Sequence, residues 1–335
     1  MKKVMPWSLA LLLGAMFLSA AVVPLPELLK PVNLYVDDTQ FYITEGTSIF
    51  IYSQKNHRLI KKFGKEGEGP EEFKILPQLP LILNVTTDHL VVNSLGKISH
   101  FTKSGEFIRE EKVKGGFVFA LLPLGDHLAG QGLTQENNVR FRSINIYDQQ
   151  LNKIKEISKV EDNFQAPGQG IRVLHEAFVH QTIDDRLYTA TERDFVIRVF
   201  SESGREQKPI TLSYDLVPMT QKHRDDIVEF FETDPSTKAF AELLKPYRFP
   251  EAFPAVAFMF AADDQLYVMT WRREHDRNEF FVFEKNGTLV RRSTLPLKYR
   301  NAILPFPFAI HAGKFYQIIE NEGTEEWELH VTPLD

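Results

Sequence analysis

The chain has 335 residues, of which 43% are hydrophobic, 12% aromatic and 25% charged, and its formal net charge is −6. These fractions are typical of a folded globular protein of one or two domains, and the acidic balance argues against nucleic acid as a partner, because phosphate contacts require concentrated Lys and Arg. The absence of Cys excludes disulfides, thiolate metal sites and lipid attachment through an N-terminal Cys.

The first segment, Met1–Ala21, has the form of a secretory signal peptide. Two lysines precede an apolar core at Leu9–Leu18, and Ser19–Ala21 provides small residues for a signal peptidase. The alternative is an uncleaved membrane anchor, because residues 4–23 carry no charge over a length that spans a bilayer. We therefore expect an extracytoplasmic protein, periplasmic or secreted, which contacts a membrane only if this segment is retained.

Residues 22–31 are rich in proline and show no clear hydrophobic period, which predicts a linker or an outer strand. From Val32 the sequence changes to short apolar runs separated by turns that contain Asp, Asn or Gly. The first unit, Val32–Phe63, holds four such runs and predicts a four-stranded antiparallel meander.

One element of this meander recurs six times: a short apolar run that ends in an aromatic residue or His. The six copies are Ile49–Tyr52, Ile98–Phe101, Ile144–Tyr147, Ile197–Phe200, Phe280–Phe283 and Trp327–His330. A period in the forties to fifties with several strands per unit is typical of propeller blades. We predict an all-β fold over residues 32–335, a six-bladed β-propeller, in preference to a β-sandwich with regular hairpins.

The last unit, from Phe306, has only three apolar runs before the sequence ends. A ring with an unpaired edge strand is prone to aggregate. We therefore expect residues 22–31 to supply the outer strand of the last blade and so to close the ring.

The interval between the fourth and fifth copies is longer than the others and contains residues 218–249, whose spacing is helical. Ile227, Val228, Phe230 and Phe231 fall on one helical stripe. Asp234-Pro235 provides an N-cap and a first-turn proline for a second helix, which Pro246 ends. We predict a helical hairpin inserted between blades four and five.

The strand order divides the loops between two faces of the ring. Loops between the first and second strands, and between the third and fourth, lie on one face, which we call the short-loop face. Loops between the second and third strands lie with the blade-to-blade connections on the other, the long-loop face. The long segments all fall on this second face: Gly64–Phe73, Gly130–Val139, Glu161–Arg172, Trp271–Glu279, Glu320–Glu326 and the helical hairpin.

Long loops on a rigid scaffold are where binding residues concentrate, so we expect the ligand on the long-loop face. The candidate residues are an aromatic stacking surface and side chains that carry or can gain positive charge, suited to a carboxylate or phosphate: Trp271, Arg272, Arg273, His275, Arg193 and Arg248. The alternative interpretation is a solvated hairpin tip with mixed charges. The ligand class stays open among a protein, a peptide and a carbohydrate.

Gly64–Phe73, with the sequence GKEGEGPEEF, resembles the GxxGxGPxEF segment of bacterial exported six-bladed β-propellers of the NHL-repeat type. The resemblance covers roughly residues 32–335 and implies the fold and export. Related propellers include binding proteins, sensors and a few lyases and lactonases, so it implies no single activity. The glycines have a structural alternative, since they can turn the chain from one blade to the next.

Propeller lyases and lactonases place metal ligands around the central channel, which makes a Ca²⁺- or Zn²⁺-dependent enzyme the alternative function. The ligands would then be Asn84, His180 and His311. No HxH or HExxH spacing, nucleophile elbow, P-loop or dinucleotide fingerprint occurs in the sequence. We therefore assign no catalytic residue and no cofactor, and we favour a binding or interaction module.

Overall fold

The computed structural model describes residues 21–76, 79–113, 117–163 and 168–334. Within these ranges the chain forms six four-stranded antiparallel sheets, which are the blades of a six-bladed β-propeller. Except for Ala21, the predicted signal peptide lies outside the described residues. In the described ranges, no helix has both the length and the apolar character needed to cross a membrane.

The strands follow one another in blade order. Strand β1 (Ala21–Pro24) is followed by blade one, with β2 (Asn33–Val36), β3 (Gln40–Glu45), β4 (Ser48–Ser53) and β5 (Leu59–Phe63), and by the short pair β6 (Lys65–Glu66) and β7 (Glu72–Phe73). Blade two contains β8 (Ile82–Val85), β9 (His89–Ser94), β10 (Lys97–Thr102) and β11 (Phe107–Lys112). Blade three contains β12 (Phe117–Leu124), β13 (His127–Glu136), β14 (Val139–Tyr147) and β15 (Lys153–Glu161).

The second half of the chain repeats this order around the insert. After β16 (Ile171–Arg172), blade four contains β17 (Val179–Ile183), β18 (Arg186–Ala190), β19 (Val196–Ser201) and β20 (Ile210–Thr211). The insert holds α1 (Gln221–Thr233), a 3-10 turn (Lys238–Phe240), α2 (Ala241–Leu244) and β21 (Tyr247–Arg248). Blade five contains β22 (Phe258–Ala262), β23 (Gln265–Glu274), β24 (Arg277–Glu284) and β25 (Leu289–Leu295), and blade six contains β26 (Phe308–His311), β27 (Lys314–Asn321) and β28 (Glu326–Pro333).

The six recurring segments are the third strands of the six blades, as the propeller prediction requires. Each lies within β4, β10, β14, β19, β24 or β28. The side chains of these strands are mostly buried, because a third strand is covered by its two neighbours in the sheet and by the adjacent blades. The aromatic residue near the end of the segment packs between blades. For example, the ring centroid of Phe101 in blade two lies 4.8 Å from that of Phe63 in blade one.

The sixth blade takes its outer strand from the other end of the chain. Strand β1 pairs antiparallel with β28, and Ala21 and Pro24 lie opposite Val331 and Glu328. Beyond this strand, Leu25 and Leu28 are buried in the core between blades six and one. The ring is therefore joined by backbone hydrogen bonds between residues about 300 positions apart in the sequence.

Polar contacts join neighbouring blades around the ring. Between blades one and two, Asn33 Nδ2 donates to Leu81 O at 2.9 Å, and between four and five, Tyr188 Oη donates to Lys285 O at 2.8 Å. At blades five and six, Ala312 N donates to an Asp263 carboxylate oxygen at 2.9 Å. These contacts, together with those of blade three described below, fix the blades relative to one another.

The third-to-fourth-strand turns hold three glycines that pack against the preceding blade. Gly105, Gly204 and Gly287 have φ values of +77°, +71° and +86°. A Cβ on each would approach side chains of the preceding blade, including Phe63 for Gly105 and Ile210 for Gly287. Glycine is required here both by the backbone conformation and by the space available.

The outer strands of four blades carry a β-bulge at the same position. The extra residue is Ile60, Ile108, Ile154 or Val290, and each is skipped in the pairing with the third strand. All four side chains are about half exposed, because the bulge turns them away from the blade. A bulge twists an exposed edge and so disfavours pairing with another chain.

Two of the predicted long loops are hairpin arms, and the prediction of loops at Gly130–Val139 and Trp271–Glu279 is wrong. Strands β13–β14 and β23–β24 pair up to two-residue turns at Asn137-Asn138 and His275-Asp276. Most polar residues near the two tips are exposed, as expected for solvent contact, but Asn278 and Glu279 are buried. A projecting two-stranded arm is solvated on its surface while its backbone groups still pair, so polarity does not identify a loop.

The helical hairpin lies between blades four and five, as predicted, but its second part is shorter than expected. Helix α1 begins after Thr220, whose hydroxyl accepts a hydrogen bond from His223 N. Asp234 does not start a second helix, because its carboxylate accepts hydrogen bonds from Ser236 N and Oγ and so forms a turn. The chain then makes a 3-10 turn before the four residues of α2.

Candidate functional site

The helical insert packs against the projecting arm of blade five on the long-loop face. Phe253, where the insert returns to the blade, stacks on Trp271 with ring centroids 4.7 Å apart and an angle of 18°. Met219 and Ile227 of the insert belong to the same buried cluster as Trp271. The helical insert and the blade-five arm therefore form one continuous surface on the long-loop face.

The blade-three exit joins the same surface through a second, backbone contact. Strand β16 pairs in parallel with β21, so that Ile171 and Arg172 lie opposite Tyr247 and Arg248. Tyr247 in turn stacks on Phe231 of α1, with centroids 5.4 Å apart. The insert is thus held both by blade five and by the segment that enters blade four.

Trp271 is part of the packing beneath this surface. Its residue is only 8% exposed, and one face of the indole is covered by Phe253. It lies at a bulge in β23, since the regular pairing with β24 is interrupted between Met269 and Arg273. The bulge is what separates the directions of Trp271, Arg272 and Arg273, three consecutive residues that make different contacts.

Arg272 binds groups of its own chain. One of its guanidinium nitrogens donates to Asp215 O at 2.8 Å, and its Nε lies 3.8 Å from Glu279. Glu279 is a buried carboxylate that also accepts hydrogen bonds from Thr270 Oγ1 at 2.7 Å and Tyr214 Oη at 2.9 Å. The positive charge of Arg272 therefore stabilises a buried carboxylate, whose main ionic partner is Arg292.

Arg273 has a different environment. The carbon of its guanidinium lies 3.3 Å from the ring centroid of Tyr299, and one of its nitrogens makes a long hydrogen bond of 3.4 Å to Ala302 O. In the described part of the chain no carboxylate forms an ion pair with it. Arg277 of the same hairpin also has no ion pair among the described residues, but its guanidinium donates two hydrogen bonds to Thr294, at 2.9 and 2.6 Å.

The other three predicted residues are exposed at different points of the long-loop face. His275 is at the tip of the β23–β24 turn with φ of +59°. Arg193 lies between β18 and β19, and its carbonyl accepts a hydrogen bond from Ala255 N at 2.7 Å beside the returning insert. Arg248, in β21, uses its carbonyl to accept from Val173 N at 2.9 Å and leaves its side chain exposed.

The three residues considered as metal ligands serve the joints between blades. Asn84 Nδ2 donates to Leu121 O at 2.6 Å and His180 Nε2 to Ala120 O at 2.9 Å, so both bind the inner strand of blade three. His311 lies at the short-loop face, where its Nε2 is 2.9 Å from Asp38 of blade one. Within the described ranges no three His, Asp or Glu side chains are placed to hold a metal ion.

Burial determines the state of His180. Desolvation lowers the pKa of this imidazole to about 4, although hydrogen bonds to backbone carbonyl groups oppose the shift. It is therefore neutral near pH 7, with the proton on Nε2, because that nitrogen faces a carbonyl oxygen. Its Nδ1 lies 3.4 Å from the Gln131 amide. Both ring nitrogens thus have protein partners.

The Gly-rich segment Gly64–Phe73 is stabilised by its own residues. The carboxylate of Glu72 accepts hydrogen bonds from Glu68 N at 3.1 Å and Gly69 N at 2.8 Å, and Phe73 is fully buried. Lys97 of blade two, also buried, donates to Gly69 O at 2.7 Å. These contacts give the glycines the role of shaping the exit from blade one, which was the structural alternative.

Sequence reasoning missed three residues that surround Arg273: His223, Asn278 and Tyr299. Asn278 is paired with Arg273 across the hairpin, and Tyr299 comes from the segment after β25. His223 belongs to the first turn of α1, close enough for the charge of Arg273 to lower its pKa in addition to the effect of burial. A correct alignment of β23 with β24 would have placed Asn278 opposite Arg273. No pattern in the sequence places His223 or Tyr299 near Arg273.

Two solved structures of similar architecture are proteins from Bacteroides. One, from Bacteroides fragilis, is described as an exported protein and matches with a TM-score of 0.56 and 13% identity over 95% of each chain. The other, from Bacteroides vulgatus, belongs to the DUF4221 family and matches with a TM-score of 0.53 and 11% identity over 94% of this chain and 96% of its own. At these identities the likeness shows the fold. Neither a protein-family model nor a curated protein matches the sequence.

Proposed function

We propose that this protein is an exported binding or interaction module that uses its long-loop face. The observation that carries the proposal is the Phe253–Trp271 stack, because it fixes the helical insert to the blade-five arm as one surface. The helical insert adds no strand to the six blade sheets, so this surface is an elaboration that ring closure does not require. Rigid scaffolds that carry elaborated loops are a common arrangement in recognition proteins.

Export is supported by the sequence of Met1–Ala21 and by the likeness to a Bacteroides protein described as exported. N-terminal sequencing of protein recovered outside the cytoplasm tests it. A start at or near Val22 indicates a cleaved signal peptide, and a start at Met1 indicates a retained anchor.

The metal-enzyme alternative has no support from the contacts of Asn84, His180 and His311, which are engaged with other blades.

Site-specific photo-crosslinking in the native host tests which face binds. A crosslinking amino acid replaces Arg193 or Arg248 on the long-loop face, and Lys55 or Asp88, both exposed, on the short-loop face as matched controls. We expect discrete adducts only from the first two positions. Adducts from Lys55 or Asp88 alone, or none from any position, would contradict the proposal.

A further inference from the structure

We infer that Arg273, Asn278, Tyr299 and His223 form a binding site for an oxyanion group of the ligand, a carboxylate or a phosphate. The site lies where the blade-five arm meets the helical insert, so the inference rests on the proposed function of the long-loop face and makes it more specific. The argument uses the position of the four residues, an excess of buried donors, and the missing counter-charge of Arg273.

The four residues converge from three separate segments. Arg273 and Asn278 are cross-strand partners in β23 and β24, and side chains of paired residues lie on the same face of a hairpin. Tyr299 covers the Arg273 guanidinium, and its hydroxyl neighbours the Asn278 amide. His223 comes from the first turn of α1, which contains no acidic residue.

Two buried polar atoms at this place lack well-formed hydrogen bonds, although the Asn278 amide and the Arg273 side chain both neighbour Tyr299 Oη. Asn278 Nδ2 and Tyr299 Oη are buried and have no hydrogen bond of normal geometry among the described residues, and Asn278 is only 1% exposed. Burial raises the pKa of Tyr299, so its hydroxyl stays protonated. Trp271 Nε1, two positions before Arg273 in the chain, is also buried without a hydrogen-bond partner among the described residues. A buried donor without a partner costs about 1–3 kcal/mol, which an acceptor would recover.

The charge of Arg273 points to the same kind of partner. Three neighbouring basic residues have carboxylate partners: Arg272 with Glu279, Lys298 with Asp276, and Lys222 with Asp226. Arg273 has only the Tyr299 ring and a long bond to a carbonyl. A guanidinium presents a planar fork of donors that matches the oxygens of a carboxylate or a phosphate.

His223 adds an uncharged imidazole, which also lies beside the Pro218 backbone carbonyl. Its Nδ1 accepts a hydrogen bond from Thr220 N at 3.2 Å, which leaves the proton on Nε2. Burial, followed by the charge of Arg273, lowers the pKa of this imidazole, so it is uncharged near pH 7. The site therefore combines one fixed positive charge with several neutral donors, held on the rigid hairpin of a propeller blade.

Titration of the exported protein followed by NMR tests the inference. The indole N–H signals report directly, because the full sequence has three Trp and the Trp271→Phe variant assigns one of them. The probes are N-acetylalanine and inorganic phosphate, added separately at an ionic strength held constant with NaCl. We expect a saturable shift of the Trp271 signal with at least one probe, and the probe that acts identifies the oxyanion as a carboxylate or a phosphate.

Two variants separate this site from general charge attraction. Arg273→Gln should weaken the saturable binding at least tenfold. Arg277→Gln, on the same hairpin but hydrogen-bonded to Thr294, should leave it within twofold. The inference is overturned if neither probe gives a saturable shift, as expected where ordered water fills the site, or if the two variants behave alike. The crosslinking at Arg193 and Arg248 uses neither probe, so the proposed function can stand when this inference fails.

Discussion

Asn84 and His180 bind consecutive carbonyl groups of β12 from the blades on either side of it, Leu121 O at 2.6 Å and Ala120 O at 2.9 Å. The two carbonyls lie at a bulge, where Ala120 has φ of +51° and pairing with β13 is interrupted. At the bulge, side chains of blades two and four therefore donate the hydrogen bonds that these two carbonyl groups do not receive within the sheet. Asn84 and His180, which the sequence suggested as metal ligands, thus hold neighbouring blades together.

We expect His180→Ala to destabilise the protein more than Asn84→Ala. Removal of His180 takes away the side-chain donor to Ala120 O and a buried ring, which costs about 2–3 kcal/mol. Removal of Asn84 leaves Leu121 O with a second donor, Asn93 Nδ2 at 3.1 Å, so the cost is about 1 kcal/mol. Urea denaturation measures both, with exposed Lys55→Ala as the control. Equal losses would contradict the assignment of the two bonds.

The protein should lose stability as the pH falls from about 6.5 towards 4. Burial lowers the pKa of His180 and of His100 to about 4 in the folded state, whereas an unfolded histidine titrates near 6.5. In this window the unfolded chain binds more protons, so each histidine lowers the free energy of unfolding by up to about 1.4 kcal/mol per pH unit. Urea titrations at several pH values measure the slope. His180→Gln should reduce it, and an unchanged slope would contradict the burial of that imidazole.

The stability of the closed ring should depend on the side chain of β1 that packs into the core and not on the one that faces solvent. Val23 packs into the core between blades six and one, whereas Val22 is 52% exposed on the same strand. A charge at Val23 must be desolvated, so Val23→Asp should lower the free energy of unfolding by more than about 2 kcal/mol. Val22→Asp should change it by less than about 0.5 kcal/mol. Thermal unfolding measures both, and deletion of residues 22–30 should lower the midpoint further. A deletion without effect would exclude closure by this strand.

The helical insert should loosen when its aromatic contact is removed. Phe253→Ala deletes the ring that stacks on Trp271, a loss of about 3 kcal/mol that falls mainly on the insert. Hydrogen exchange monitored by mass spectrometry should show faster exchange in α1 with little change in blades one and two. Phe240→Ala is the control, because Phe240 is 45% exposed near the end of the insert. Exchange that accelerates equally in both variants would show that the stack does not hold the insert.

The sequence contained enough information for the fold because each blade repeats the same burial pattern. Apolar runs such as Ile144–Tyr147 recur at a similar place in each unit, and such a run of buried residues is typical of a strand that is covered on both sides. The turn glycines could also be predicted, because positive φ leaves few alternatives to glycine. Both signals are local in the sequence, and for this reason they survive without knowledge of tertiary contacts.

The candidate site could be predicted only in part. Arg273 was identified from its charge, but its separation from Arg272 depends on a bulge that the sequence does not indicate. Tyr299 and His223 come from segments 26 and 50 residues away in the chain, and their approach to Arg273 depends on how the insert folds back. The exposed arms were taken for loops because composition reports solvent contact and not backbone pairing.

The direction of β1 has a further consequence for anything joined to the front of the domain. Ala21 pairs with Val331 near the short-loop end of β28, whereas Pro24 lies nearer the opposite end. Strand β1 therefore begins on the side of the ring that faces away from Arg273 and the insert. A tag, a tether or a partner domain fused ahead of Ala21 would consequently leave the long-loop face unobstructed.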